Sequence, residues 1–233
     1  MARALAIETS ARTGSLAAVQ DGRVLAEDHF PHGLKHAAEI IPRLDALCHG
    51  QGWLPRDVGE VYVSVGPGSF TGLRIGITLA KTLAFATGAR LVAVPTVRVL
   101  ARNAPPEARH LVLVLDAKRD QIYTARFDRT SSDAPWTEAE PAHLDSLPSV
   151  LARSPRPVHL LGEGIPNHQK FIPPDDPAVV VTREDLWRPR AVAVADEGAR
   201  MAGAGEFIDP QQLLPIYIRK PEAEEKFGQV KTS

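Results

Sequence analysis

The order of apolar runs and turns predicts a two-lobed α/β protein. Three observations predict it. Residues 3–103 read as β-β-β-α-β-α-β-α. A similar pattern restarts near His110, where LVLVLDAKRD (Leu111 to Asp120) repeats the layout of ALAIETSART: an apolar strand, an acidic residue at its end, then a turn. Between them the segment GPGSFTGLRIG (Gly66 to Gly76) joins an apolar run to a long helical pattern through glycines. The two units share pattern rather than identity.

Ala4 to Thr9 reads as a buried strand. Ser15 to Gln20 and Arg23 to Phe30 are strands joined by Asp21-Gly22, a strong two-residue hairpin signal. Leu34 to Gly50 has helical spacing, with Ile40, Ile41, Leu44, Leu47 and Cys48 on one stripe. An internal proline costs a helix about 3 kcal/mol. Pro42 therefore predicts a kink, or a helix whose regular part begins near Ile40. Val61 to Val65 is the next strand. The helix from Gly72 to Thr87 confines Arg74, Thr78, Lys81 and Thr82 to one narrow stripe and is apolar elsewhere, the pattern of a helix buried on more than one side. Leu91 to Val94 is a strand and Val97 to Asn103 a short helix. In the second unit Gln121 to Asp128 is the hairpin partner of Leu111 to Asp120, and Arg129 to Pro141 reads as a loop or long hairpin connection. Val158 to Leu161 is a strand before Gly162-Glu163-Gly164, Val179 to Val181 a short strand, and Ala191 to Ala202 a helix. Five of the 20 prolines fall in residues 1–100 and 15 in residues 101–233, so the second half should have the longer connections.

The glycine segment carries the chemistry. Gly66, Gly68 and Gly72 permit backbone angles closed to other residues and let another group approach the main chain. Thr71 is the expected N-cap, and free amides at a helix start attract anions. The competing reading is a tight strand-to-helix connection that binds nothing. A Walker loop is excluded, because Leu73 and Arg74 follow Gly72 where Lys and Ser or Thr are needed. A nucleophile elbow at Ser69 is excluded by Pro67 and Thr71 in place of its flanking glycines.

The 233 residues suffice for one large or two small domains. With 44% apolar and 24% charged residues the composition is that of a soluble globular protein. A net charge of −1 supplies no global basic field for nucleic acid. The single cysteine, Cys48, excludes an internal disulfide and fits a reducing compartment. It lies on an apolar helical stripe, where a buried small hydrophobe is expected. No apolar run approaches the roughly 18 residues of a membrane helix, and MARALAIETS lacks a signal-peptide core. A cytoplasmic location without membrane contact is expected.

The run of AIETS, DG, H…EIIPRLDAL, VGPGSFTGLRIG, VLDAKRDQIY and LPIYIRK, in that order, resembles the TsaB (YeaZ) family, related to the TsaD/glycoprotease group. The resemblance covers nearly the whole chain and is strongest over residues 3–100. It implies a duplicated actin/hexokinase-like (ASKHA, ribonuclease H-like) fold, with a partner-binding lobe at 1–105, a second lobe at 106–218 and a flexible charged tail at 219–233. It further implies a non-catalytic dimerisation subunit for threonylcarbamoyl transfer onto tRNA (t6A synthesis). That subunit stabilises a TsaD-like catalytic partner through the N-terminal lobes. A TsaE-like ATPase joins the pair, tRNA is met through the complex, and a homodimer forms when the chain is alone. No cofactor is required by the chain itself; ATP and Mg belong to the complex. Two departures stand out: Glu8 occupies a position that is often Asp, and Ala37 one that is often Ser.

Glu8, Thr9 and Ser10 at the end of the first strand, with Asp116 opposite, are candidates for a degenerate nucleotide loop together with Gly66, Gly68, Ser69, Thr71 and Gly72. Strand-end carboxylates hold magnesium in working members of such folds; the alternative is a polar strand end satisfied by turn amides. His36, Ile40, Arg74, Ile77, Thr78 and Lys81 are candidates for the partner interface, or otherwise a solvated helix face. His32 and His36 have zinc-like spacing on a helix, but no Glu follows His32, so no metal is expected. A small ATP-dependent phosphotransferase and a metallopeptidase-like protein are the alternative functions. Lys118, Arg119 and Asp120 read as a solvated turn.

Overall fold

The computed structural model describes residues 2–31 and 36–217. His32, Leu34 and the tail 219–233 lie outside the described residues, as does the side chain of His36.

Strand β1 (Arg3–Glu8) pairs antiparallel with β2 (Thr13–Gln20), which pairs with β3 (Arg23–Pro31). The β2–β3 turn holds Asp21 at φ 51° and Gly22 at φ 78°, the two left-handed positions of a type I′ hairpin. Helix α1 (His36–Gly50) runs through Pro42, with regular helix on both sides of it. Strand β4 (Glu60–Ser64) lies parallel to β1, and β5 (Arg90–Val94) parallel to β4. Between them runs α2 (Phe70–Thr87), ended by Gly88 in the left-handed conformation. Ser69, rather than Thr71, is its N-cap: the Ser69 hydroxyl accepts from Gly72 N at 3.2 Å, which places Phe70 and Thr71 inside the first turn. Helix α3 (Thr96–Ala101) completes the first half.

The second half has β6 (His110–Leu113), β7 (Leu115–Asp116), β8 (Ile122–Asp128), β9 (Thr137–Asp145), α4 (Leu147–Arg153), β10 (Val158–Leu161), α5 (Ile165–His168), β11 (Val179–Val181) and α6 (Ala191–Gly203). The first sheet is ordered β3-β2-β1-β4-β5. In the second, β9 pairs β8, β8 pairs β6, and β10 and β11 follow in parallel. The two sheets therefore share strand order and sense, so the weak duplication in the sequence is a duplication of topology. Strand β9 falls largely where a loop was expected. It is an edge strand of polar residues, TEAEPAHLD, and Pro141 sits where the pairing register shifts. Helices α4 and α5, each with a proline in its first turn, were not expected either.

The helices cross between the halves. Helices α1 and α2 cover one face of the first sheet, over Leu5, Ile7, Val61, Val63 and Leu91. The other face, with Ala4, Ala6, Ala17, Tyr62 and Val94, is covered by α6 through Val194 and Met201. The first two amides of α6 are capped by side chains of the first sheet: Ala191 N donates to Ser15 Oγ at 2.8 Å and Val192 N to Glu27 Oε1 at 3.2 Å. Conversely, Val97, Leu100 and Ala101 of α3 pack on Leu111, Leu113, Phe127 and Leu161 of the second sheet. Residues after α6 also return to the first lobe. Ile208 N bonds to Leu91 O, Leu213 is buried in the first core and Ile216 N bonds to Val65 O. A boundary at 105/106 thus follows the sequence duplication, but the lobes themselves exchange elements: α3 serves the second sheet, and residues 191–217 serve the first.

Helices α3 and α6 are tied by buried Glu197. Its Oε2 accepts from Arg102 Nε (3.1 Å) and Nη2 (2.8 Å), and its Oε1 from the same atoms of Arg200 (3.1 and 2.8 Å). Burial pushes its pKa up, but the bonds from Arg200 and Arg102 outweigh this and hold it below 4.5. A depressed carboxylate stabilises the fold above its unfolded pKa, and that contribution is lost as pH falls through the folded value. Glu197→Gln should therefore cost ~2 kcal/mol at neutral pH. The deficit should shrink in acid when urea unfolding is followed at about pH 7 and about pH 3. An equal deficit at both would assign the loss to packing.

Candidate functional site

The glycine segment is a packing joint. Gly66 N donates to Thr96 Oγ1 at 3.1 Å, and Gly66 O accepts from Thr96 N at 2.9 Å, which fixes the turn to the start of α3. Ser69 N donates to Ser10 O at 2.7 Å. A Cβ on Gly68 would stand 2.5 Å from Ser10 O; on Gly72 it would overlap Thr9 O, and on Gly76 the Thr9 hydroxyl. The absent side chains therefore admit the end of β1 against α2. The carbonyls of Thr9 and Ser10 lie against these glycines, and Ser10 O takes the Ser69 amide at the helix N-cap.

The second lobe repeats the joint. Gly162 and Gly164, between β10 and α5, close on Val114 and on Asp116, whose amide N would be 2.6 Å from a Cβ on Gly164. Asp116 is held within its own lobe: its carboxylate accepts from Asn167 Nδ2 at 3.1 Å and Lys118 N at 3.2 Å, and lies 3.3 Å from His168 Nε2. Lys118, Arg119 and Asp120 follow at φ 63°, 54° and 58°. Three consecutive non-glycine residues in this region are rare, because Cβ crowds the following carbonyl.

Glu8 is fully buried. Its Oε1 accepts from Ser10 N (2.5 Å) and Ser10 Oγ (2.6 Å), while among the described residues Oε2 has no hydrogen-bond partner. Among the described residues Thr9 Oγ1 is buried without a hydrogen-bond partner as well, and Ser64 stands beside Glu8. Burial raises the Glu8 pKa above 4.5 against the opposing bonds from Ser10, and Glu163 of the second lobe adds to the rise. Glu163, in the glycine turn of the other lobe, is the residue near Glu8 that the sequence reading left unassigned.

The expected partner residues divide. Ile40 and Ile77 are 2% and 5% exposed and lie in the first core, because both point from their helices at the sheet. They belong to the fold, and a partner surface does not include them. Arg74 and Thr78 are exposed and Lys81 half-buried, on one stripe of α2 with Thr71, Thr82 and Phe85. The apolar remainder of α2 is covered by its own sheet, by α1 and by the strap at 207–217. Arg74 lies 3.8 Å over the Phe70 ring and donates from Nε to Tyr217 OH at 3.1 Å, and Tyr217 stacks on Phe70 at 5.0 Å. Two large apolar side chains are left open on these helices: Phe85, 70% exposed, and Ile41 on α1, 60% exposed. Among the described residues no group of three or more His, Cys, Asp or Glu is arranged to hold a metal.

Two lobes that repeat one strand order, each with a glycine joint at the end of its first strand, define a duplicated two-lobed α/β protein. Residues 33–157 match the family TsaD: tRNA N6-adenosine threonylcarbamoyltransferase. A Bacillus subtilis (strain 168) protein named tRNA threonylcarbamoyladenosine biosynthesis protein TsaB is 30% identical over 240 residues, 96% of this chain and 96% of its own. Its Escherichia coli (strain K12) namesake is 28% identical over 96% of this chain and 97% of its own. A solved Pseudomonas aeruginosa structure, described as an uncharacterized protein with similarity to peptidase YEAZ, superposes with a TM-score of 0.80 at 25% identity, covering 94% of this chain and 100% of that one. The chain belongs to the TsaB (YeaZ) family of tRNA threonylcarbamoyladenosine biosynthesis proteins. No helix among the described residues is long and apolar enough to cross a membrane.

Two outcomes test the joint and the carboxyl. Gly72→Ala should destabilise the fold by ~3 kcal/mol or more, because its methyl meets backbone that cannot rotate away; a thermal midpoint within a degree or so of wild type would refute this. A raised carboxyl pKa gives stability that is complete below the unfolded pKa and lost as pH rises through the folded value. Glu8→Gln mimics the neutral acid. It should match wild type near pH 4 and exceed it at about pH 7.5 in urea midpoint.

Proposed function

We propose that this chain is the non-catalytic subunit of a tRNA threonylcarbamoyladenosine synthase, and that it binds and stabilises a TsaD-like catalytic subunit. One observation carries the reading: the glycine segment packs closely on the chain's own Thr9 and Ser10 backbone, and Ser10 O takes the Ser69 amide. ATP and Mg then act at the level of the complex, with a TsaE-like ATPase, and tRNA is met there too. The setting is the cytoplasm, where tRNA is modified.

The partner surface is the exposed side of α1 and α2: Ile41 and Phe85 as apolar anchors, with Arg74, Thr78 and Lys81 as the polar part. Large apolar side chains beside cationic ones suit a protein interface better than open solvent. Without its partner the chain should pair with a second copy through the same anchors.

Light scattering on a sizing column tests this with the TsaD-like protein of the same organism. Wild type should form a one-to-one heterodimer. Ile41→Glu and Phe85→Glu should each weaken it by about tenfold or more while the thermal midpoint holds, because both side chains are already in water. Separate wild-type peaks, or variants that bind like wild type, would remove the surface from the proposal.

A further inference from the structure

Where α3 and α6 cross, beside the approach to β9, lies a cleft of about 200 Å³ that neither glycine joint nor the α1–α2 face uses. Arg98 and Arg102 line it from α3, Glu197 and Arg200 from α6, and Trp136 and Glu138 from the second lobe. Three guanidinium groups and two carboxylates line it, and Asp196, 3.1 Å from Arg102, adds a third carboxylate beside it, so the charges of the cluster balance.

The three arginines are not equivalent. Arg102 and Arg200 each spend Nε and one terminal nitrogen on Glu197. Arg98 makes no such bond among the described residues. Its nearest carboxylate oxygens are Glu138 Oε2 at 3.6 Å and Glu197 Oε1 at 4.0 Å, too far for hydrogen bonds. Its fork of donors therefore lines the cleft without a hydrogen bond among the described residues, with both carboxylates at ion-pair distance only. Such a fork matches two oxygens of one phosphate. Trp136 lines the cleft beside it, with the Arg129 guanidinium over its ring at 4.2 Å; the rest of the ring is flat apolar surface of the kind a base attached to that phosphate would lie against.

We propose that this cleft binds the phosphate of a nucleotide, with Arg98 as its principal ligand and Glu138 as the competing anion displaced on binding. The nucleotide is either free or a unit of RNA. The RNA source rests on the proposed role in tRNA modification, while the phosphate chemistry does not.

The full chain, without its partner, is titrated with ADP and with unmodified tRNA transcript at low salt, by calorimetry and filter binding. Wild type should bind at least one of them. Arg98→Ala should weaken that binding by about tenfold, and Arg98→Lys, which keeps the charge and loses the fork, should fall between. Glu138→Gln should tighten it, a change that mere loss of structure would not give. If the source is RNA, Arg98→Ala should also make the slope of log K against log salt shallower by about one, and ADP should compete; if it is a free nucleotide, ADP binds and tRNA does not. Binding of neither probe to wild type overturns the proposal, as does equal binding by wild type and Arg98→Ala. Arg98→Ala should still form the heterodimer on the sizing column, so failure here and failure of the partner reading give separate results.

Discussion

The fold depends on one constraint: each of its two sheets is apolar on both faces, and neither half of the chain supplies enough helix to cover its own. The first sheet takes α1 and α2 on one side and must borrow α6 for the other. The second takes α4 and α5 and borrows α3. Each buried Val, Leu or Met side chain is worth about 1.5–3 kcal/mol, so the exchange joins two small cores into one cooperative unit. Tyr62 and Gly198 set how closely α6 can lie, since a Cβ on Gly198 would stand 2.5 Å from the Tyr62 ring. Glu197 then bridges the two arginines brought together where the borrowed helices cross, and Asp196 pairs with Arg102.

The same economy explains the glycines. In a duplicated fold of this kind, the strand-to-helix turn of each lobe passes close to the end of the lobe's first strand. Here that approach is carried to contact: Gly68, Gly72 and Gly76 against Ser10 and Thr9, Gly162 and Gly164 against Val114 and Asp116. At the joint Ser69 N bonds to Ser10 O, and buried polar groups gather around Glu8. The two surfaces proposed above lie elsewhere, on α1–α2 and where α3 crosses α6.

Those two surfaces differ in kind. On α2 the cations sit on an exposed stripe with Phe85, and the C-terminal strap secures one end through Tyr217, Phe70 and Arg74. At the crossing, charges of both signs are packed into a partly enclosed space, where Coulombic interactions are stronger than at the open surface. A broad, partly apolar face suits a protein. A small charged recess beside a tryptophan suits a compact anion.

The sequence by itself determined the strand-and-helix order of the first half, the Asp21-Gly22 hairpin and the family, because these are written in local periodicity, turn chemistry and a contiguous glycine motif. It left β9 unread, since an edge strand with polar residues and Pro141 carries no alternating apolar signal. It left α4 unread although Ser146 caps it, because seven residues beginning Leu-Pro give too short a pattern. Of the site, Glu8, Ser10 and the glycines were legible as a group, but not which side of the motif is occupied; that is decided by how close Thr9 comes to Gly72. Ile40 and Ile77 read as surface because a helix with a thin polar stripe does not say what covers the rest. Only the tertiary structure decided that the strap and the exchanged helices do so. A contact between residues such as Ser15 and Ala191 depends on where both lobes place the chain, and no local pattern records that.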